Sequence, residues 1–296
     1  MCLESPRQNR GRLVSDCMSS HPHSDPSGRK SLRYPADWIR RKQAGERISV
    51  LTAYDATMAR LLADSEVDAL LVGDSLGMVV QGQSSTLPVT LDEMIYHCRM
   101  VRRGAPGLFL IGDLPFGSYQ GGIDAGVQAG LRMMKETGAD AVKLEGAAEE
   151  NLTIVRRLSQ AGVPVMGHIG LTPQSYLTIG GFRAQGRDEI AAARLKSEAL
   201  ALEAAGCFGM VLELVTAPLA VEITAQLNVP TIGIGSGAGT SGQVLVINDL
   251  LGMDDRFKAR HVKCYANLGP QITAAAREYT REVHGGIFPA DEHSFK

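Results

Sequence analysis

The chain has 296 residues, with 30 Lys plus Arg against 32 Asp plus Glu, for a formal net charge of -2. That balance gives no electrostatic argument for nucleic acid or an anionic membrane as a partner. A composition of 44% hydrophobic and 21% charged residues fits a globular chain with a sizeable core, in one large α/β domain or two ordinary ones.

No apolar run reaches the roughly 20 residues that span a bilayer. Cys2, Cys17, Cys98, Cys207 and Cys264 form no CxxC pair or zinc spacing, so reduced thiols in a soluble, cytoplasmic protein are expected. Residues 1–35 are rich in Ser, Arg, His and Pro and poor in aliphatics. Such a segment buries too little apolar area to offset its ordering entropy, so a disordered extension ahead of a domain at 36–296 is expected. A transit peptide is the second reading, weakened by Glu4, Asp16 and Asp25.

From Ala36 the pattern becomes regular. A short leading helix carries Trp38, Ile39 and the basic trio Arg40, Arg41 and Lys42, and a first strand covers 48–53. The second strand, 69–72, runs into Gly73-Asp74-Ser75 and then a long loop. Thr90 and Glu93 are spaced as a capping box for a helix that stops at Gly104. The third strand starts at Leu108 and ends at Asp113, and a helix spans about 124–137. The fourth strand, 141–144, leads into Glu145, and the fifth follows Pro164 to His168. Residues 171–187 hold Pro173, Gly180, Gly181 and Gly186, as a covering or binding loop would. A helix over about 188–205 precedes a sixth strand ending at Glu213, and Pro218 opens the next helix. The seventh strand is 231–234, the eighth 244–247, and a last amphipathic helix lies near 272–283.

Eight near-continuous apolar strands alternating with helices or loops predict a (β/α)8 TIM barrel in a single domain. A doubly wound open sheet is the runner-up. It calls for a GxGxxG turn after the first strand, where Tyr54-Asp55-Ala56 stands instead.

In such a barrel the strand ends converge on one mouth. Asp74, Asp113 and Glu145 then supply three carboxylates, which repel one another unless a cation holds them. An all-oxygen set suits Mg2+. The competing reading is that each acid caps the helix after its strand. Lys143 lies two residues before Glu145, on the same side of its strand. A lysine inside an apolar run needs an anion: a substrate carboxylate, an enolate oxygen, or a structural ion pair with Asp74 or Asp113. His168 reads as a donor to a bound oxyanion, a metal ligand or a packed core histidine. Glu213, two elements from the acidic trio, suits general-base work, because a semi-buried carboxyl can have its pKa raised. Residues 233–239 resemble a phosphate-cradling turn or serve only as a tight turn. Cys98 and Cys207 read as packed thiols. A divalent ion, a lysine and a separate carboxylate base point to proton abstraction α to the carbonyl of a 2-oxo acid. Spacing alone does not name the substrate.

Longer motifs go further. They include Thr52-Ala53-Tyr54-Asp55, residues 72–78, Gln81-Gly82, residues 85–90, Arg102-Arg103-Gly104-Ala105-Pro106 and Asp113-Leu114-Pro115-Phe116. Val142-Lys143-Leu144-Glu145-Gly146, residues 167–175, Gln185-Gly186-Arg187 and Glu292-His293-Ser294-Phe295 complete the set. Together they resemble the ketopantoate hydroxymethyltransferase family across 36–296. The resemblance implies that Asp74, Asp113 and Glu145 hold Mg2+, and that Asp74, Ser75, Asp113 and Lys143 contact the oxo acid. It implies Glu213 as proton acceptor and His168 as a substrate-pocket residue. The implied reaction moves a one-carbon unit from 5,10-methylenetetrahydrofolate, the co-substrate, onto 3-methyl-2-oxobutanoate. The product is 2-dehydropantoate, in pantothenate synthesis, with a metal-held enolate attacking an iminium carbon. Family members are homo-oligomers, commonly decamers. Leu214-Val215-Thr216 stands where the family often has Cys-Val-Pro, and Asp291 is a mild change before the terminal motif. The alternative on the same scaffold is an Mg2+-dependent 2-oxo acid lyase or mutase of the isocitrate lyase/PEP mutase type. Those enzymes usually carry a cysteine in the covering loop, and 171–187 has none. A non-catalytic binding module is the third reading.

Overall fold

The computed structural model describes residues 31–181, 183–254 and 260–295. The expected disordered extension lies outside the described residues as far as residue 30. In order come α1 (Pro35–Gln43), β1 (Ile48–Thr52), α2 (Ala56–Ala63), β2 (Ala69–Val72), a short α3 (Leu76–Val79) and α4 (Leu91–Gly104). Next are β3 (Phe109–Asp113), α5 (Ile123–Thr137), β4 (Ala141–Glu145), α6 (Glu149–Gln160) and β5 (Val165–Gly170). A 3-10 turn at Pro173–Ser175 leads to α7 (Tyr176–Ile179), α8 (Glu189–Ala205), β6 (Gly209–Glu213) and α9 (Ala217–Gln226). The chain continues through β7 (Thr231–Ile234), β8 (Gly242–Leu245), α10 (Ile247–Leu250) and α11 (Leu268–His284). The eight strands pair in parallel in sequence order, and β8 returns to β1 to close the ring. The predicted (β/α)8 barrel is the fold.

The sequence signals for helix ends act as expected. Thr90 and Glu93 form a reciprocal capping box at α4, with Thr90 N donating to Glu93 Oε2 over 2.7 Å. Asp188 caps α8 by accepting from Ala191 N at 2.8 Å. The eighth strand differs from the expected 244–247. Gly242 starts it, because a Cβ there would lie 2.2 Å from the Ile48 carbonyl oxygen, so only glycine lets β8 approach β1. Val246 and Ile247 leave the strand to open α10, and Ile247 N donates to Thr52 Oγ1 at 2.9 Å. The 171–187 segment is less irregular than expected, since it holds the 3-10 turn and α7.

Two apolar layers result. One fills the space between strands and helices. The other lies inside the ring and includes Val50, Leu71, Phe109, Ile111, Ala141, Met166, Val211 and Ile232. Alternate strand residues face inward, and in four strands the inward column starts apolar and ends charged. Phe109 and Ile111 lead to Asp113, Ala141 to Lys143 and Glu145, Met166 to His168, and Val211 to Glu213. At the N-terminal end Trp38 of α1 closes the ring, fully buried and edge-on to Phe109 and Phe208 at 5.2 and 5.6 Å. Leu32, on the extension side of the expected boundary, packs into the same cluster. The buried Arg41–Asp68 pair, 2.5 Å apart, fixes α1 there.

None of the 17 residues of α11 is buried, although Ile272, Tyr279 and Val283 share one face. No described helix is long and apolar enough to cross a membrane.

Replacing Trp38 with Ala should cost about 3–5 kcal/mol of unfolding free energy, the range for truncating a buried aromatic. Denaturant titration measures it, and a loss near zero would show that α1 does not seal the barrel.

Candidate functional site

Register places the charged residues side by side. Asp113 pairs with Lys143 across β3 and β4, and Glu145 pairs with His168 across β4 and β5. Lys143 Nζ lies 2.7 Å from Asp113 Oδ1, 3.9 Å from Glu145 Oε1 and 3.4 Å from His168 Nδ1. The His168 ring stands between two carboxylates, with Nδ1 3.3 Å from Glu145 Oε1 and Nε2 3.3 Å from Glu213 Oε2. Asp74, two residues beyond β2, completes the group, and its backbone N–H donates to Asp113 Oδ2 at 3.3 Å. Asp74, Asp113, Lys143, Glu145 and His168 are all buried. Glu213 keeps 18% of its side chain exposed and so faces both the cluster and the mouth. Ser75 is half-buried, with its Oγ 2.9 Å from the Tyr54 hydroxyl. Burial pushes the Tyr54 pKa up to about 12, so the phenol keeps its proton.

The helix-cap reading of the acids does not hold. The caps of α3, α5 and α6 are Ser75, Gly122 and Ala148. The acids instead face one another, and their protonation follows from that. Burial, then repulsion from Asp113 and Glu145, raise the Asp74 pKa well above the usual carboxylate range. Burial also raises Asp113, against the pull of Lys143. Burial works against ionisation of Glu145 too, but His168 and Lys143 overcome it and hold its pKa low. Burial and the Lys143 ammonium press His168 toward the neutral form. Glu145 and Glu213 outweigh them and lift its pKa to about 9, so the ring is an imidazolium at neutral pH. Burial likewise opposes the charge on Lys143, which Asp113, Glu145 and Asp74 restore.

The cluster is not internally satisfied. Asp113 Oδ1, Glu145 Oε1 and His168 Nε2 have ion-pair neighbours but no partner in hydrogen-bond geometry. Among the described residues, no three acidic, imidazole or thiol groups already form a metal cage. Asp113 turns to Lys143, and Asp74 Oδ2 accepts from Gln174 Nε2 at 3.0 Å. A hard divalent cation fits the donor set nonetheless. The oxygens without hydrogen bonds belong to carboxylates, two cationic side chains face four acidic ones, and Mg2+ is bound through carboxylate, water and substrate oxygens.

Gln174, Tyr119 and Tyr54 belong to this site, and sequence reasoning assigned them no role. Each lies in a quoted or adjacent motif, and a buried polar group beside a strand end was the available signal. The glycine run after β7 is a packing turn. Ser236 is fully buried, donating to Leu212 O at 2.7 Å and accepting from Val215 N at 3.0 Å. Cβ atoms at Gly235, Gly237 and Gly239 would strike Leu214, Ala217 and Val221. Cys98 and Cys207 are buried free thiols, and burial holds the Cys207 pKa up at about 12.

The 171–187 segment is tied to the residue that carries the exposed carboxylate. Leu171 N donates to Glu213 O at 2.8 Å, and Gln185 N to Leu214 O at 2.7 Å. Gly170 has φ +98, and a Cβ there would sit 2.2 Å from Glu213 O. Leu214 adopts φ 48, a left-handed conformation that costs a branched residue about 1–2 kcal/mol.

Comparisons with known proteins agree on a family. The profile of the family described as ketopantoate hydroxymethyltransferase matches residues 35–291. A 3-methyl-2-oxobutanoate hydroxymethyltransferase of Heliobacterium modesticaldum is 55% identical over 254 residues, 86% of this chain and 92% of that one. The protein of the same name from Anaeromyxobacter sp. (strain K) is 54% identical over 282 residues, 94% of this chain and 90% of that one. Among solved structures, 2,3-dimethylmalate lyase, a PEP mutase/isocitrate lyase superfamily member, aligns with TM-score 0.56 at 17% identity, covering 88% of this chain and 91% of that one. Phosphonopyruvate hydrolase, solved with oxalate and Mg++, aligns with TM-score 0.58 at 11% identity, covering 89% and 92%. At such identities these two structures share the fold alone, whereas the profile and the close relatives reach the sequence itself. On that match over nearly the whole barrel, the chain belongs to the ketopantoate hydroxymethyltransferase family.

Proposed function

We propose that this chain transfers a hydroxymethyl group from 5,10-methylenetetrahydrofolate to 3-methyl-2-oxobutanoate, yielding 2-dehydropantoate for pantothenate synthesis in the cytoplasm. The observation that carries the reading is Glu213. It is the least buried carboxylate of the cluster and stands across His168 from Glu145, Lys143 and Asp113. A base in that position reaches a substrate held over the other three. Family membership and the names of the close relatives support the substrate.

Asp74, Asp113 and Glu145 would hold Mg2+, which would offset the negative charge that grows on the 2-oxo oxygen during enolisation. The chain's own residues do the rest. Lys143 and Ser75 orient the oxo acid, the ammonium through its carboxylate and the hydroxyl through a hydrogen bond that Tyr54 backs. Glu213 removes the C3 proton. His168 holds Glu213 in place through Nε2, which lies 3.3 Å from Glu213 Oε2. C3 then bonds to the methylene carbon as one of its two C–N bonds breaks, water replaces the second folate nitrogen and becomes the new hydroxyl, and the C3 proton and one water proton end on the two nitrogens. Lyase or mutase chemistry is not favoured, because 171–187 lacks the cysteine expected of it.

The oligomer expected of the family is supported by α11, whose apolar face is left open in the single chain.

Proton NMR of 3-methyl-2-oxobutanoate in D2O, with protein and Mg2+ but no folate, should show exchange of the C3 proton. Glu213→Gln and EDTA should each abolish it, and an unchanged substrate signal with the wild type would rule out base-catalysed enolisation. Light scattering after size-exclusion chromatography should give a multimer for the wild type and a lower mass for a Tyr279→Glu, Val283→Glu variant. An unchanged mass in the variant would remove α11 from the interface.

A further inference from the structure

The most fully bonded side chain at the site belongs to Gln174, which has no role in the chemistry above. It is 5% exposed, in the 3-10 turn that opens the 171–187 segment. Its Nε2 donates to Asp74 Oδ2 at 3.0 Å and to the Leu114 carbonyl at 2.9 Å. Its Oε1 accepts from the Tyr119 hydroxyl at 2.7 Å and from Gln120 Nε2 at 3.0 Å. Its backbone N–H donates to Glu145 Oε2 at 3.0 Å. A carboxamide has two N–H donors and two acceptor lone pairs, and here all four are used.

The orientation of that amide is forced. A backbone carbonyl accepts only, so the face toward Leu114 must be the NH2. Gln120 Nε2 donates only, so the face toward it must be the oxygen. The NH2 therefore meets Asp74 as a donor and selects the acceptor form of Oδ2. Tyr119 braces the arrangement from a second side, since its hydroxyl also accepts from Glu145 N at 3.1 Å. One residue of the covering segment thus grips carboxylates from two strands, β2 through its side chain and β4 through its backbone.

We propose that Gln174 is a positioning residue that fixes the Asp74 and Glu145 carboxylates for a divalent cation, so that the foot of the 171–187 segment sets cation affinity. The inference rests on the reading of the site given under Proposed function. Partners that orient metal ligands typically contribute 10–100-fold in affinity. A carboxylate left to rotate, or to share a proton with its acidic neighbours, is a poorer ligand.

The test is titration of purified protein with Mn2+, followed by electron paramagnetic resonance of the free ion. Gln174→Met keeps the volume and apolar stem but removes the amide. It should bind Mn2+ at least about tenfold more weakly than wild type, with a cooperative melt retained and with C3-proton exchange recovering at saturating Mn2+. Equal affinity in a folded Gln174→Met protein would overturn the proposal. Should that variant not fold, Tyr119→Phe serves, because it frees the amide and the Glu145 backbone while leaving Gln174 in place. A few-fold weakening there supports the proposal, and an unchanged affinity overturns it. Wild-type protein that takes up no Mn2+ would instead bring down the cation reading on which both rest.

Discussion

Two cations hold four carboxylates together inside a pocket that excludes most of the solvent. Lys143 and His168 come from β4 and β5, and Asp74, Asp113, Glu145 and Glu213 reach them from four different strands. In a low-dielectric interior such a set is costly unless each charge has a partner. The protein manages part of that cost by raising the pKa of Asp74 and Asp113, and the rest remains as buried polar atoms without hydrogen bonds. With every acid ionised, the cluster lacks two positive charges. A divalent cation matches that deficit, and the oxygens left free are of the kind that Mg2+ prefers.

The barrel makes this arrangement repeatable. Inward positions are apolar along the lower part of the ring and ionisable at the top of β3, β4, β5 and β6, so one closed ring supplies both the seal and the site. The Trp38 plug and the Arg41–Asp68 pair close the opposite end. Segment 171–187 then joins the two halves of the chemistry. Its first turn touches Asp74 and Glu145, and its two ends hydrogen-bond to the backbone of Glu213 and Leu214. The left-handed Leu214 and the glycine at 170 are where the backbone bends to permit those contacts.

The acids at the strand ends were legible because strand geometry has a period of two, so Lys143 and Glu145 had to share a side. The barrel followed from eight apolar runs, and the helix starts at Thr90 and Asp188 from cap chemistry. What was not legible depends on contacts between distant segments. Gln174 meets Asp74 across 100 positions, and nothing local to either residue announces it. The ion pair between Lys143 and Asp113, one of several open readings, was decided by the register of β3 against β4. The eighth strand was misplaced because Val246 and Ile247 are as apolar as any strand residue. Steric room at Gly242 set the pairing there, and hydrophobicity did not.

The charge arrangement of the site turns on the His168 ring. Nitrogen-15 NMR of histidine-labelled protein, freed of metal and assigned with a His168→Asn variant, reads the protonation of both imidazole nitrogens directly. At neutral pH His168 should carry a proton on each nitrogen, with a titration midpoint of about 9. A singly protonated, neutral ring at that pH would mean that Glu145 and Glu213 do not hold it as a cation. The charge arrangement that places the base opposite the carboxylate cluster would then be wrong.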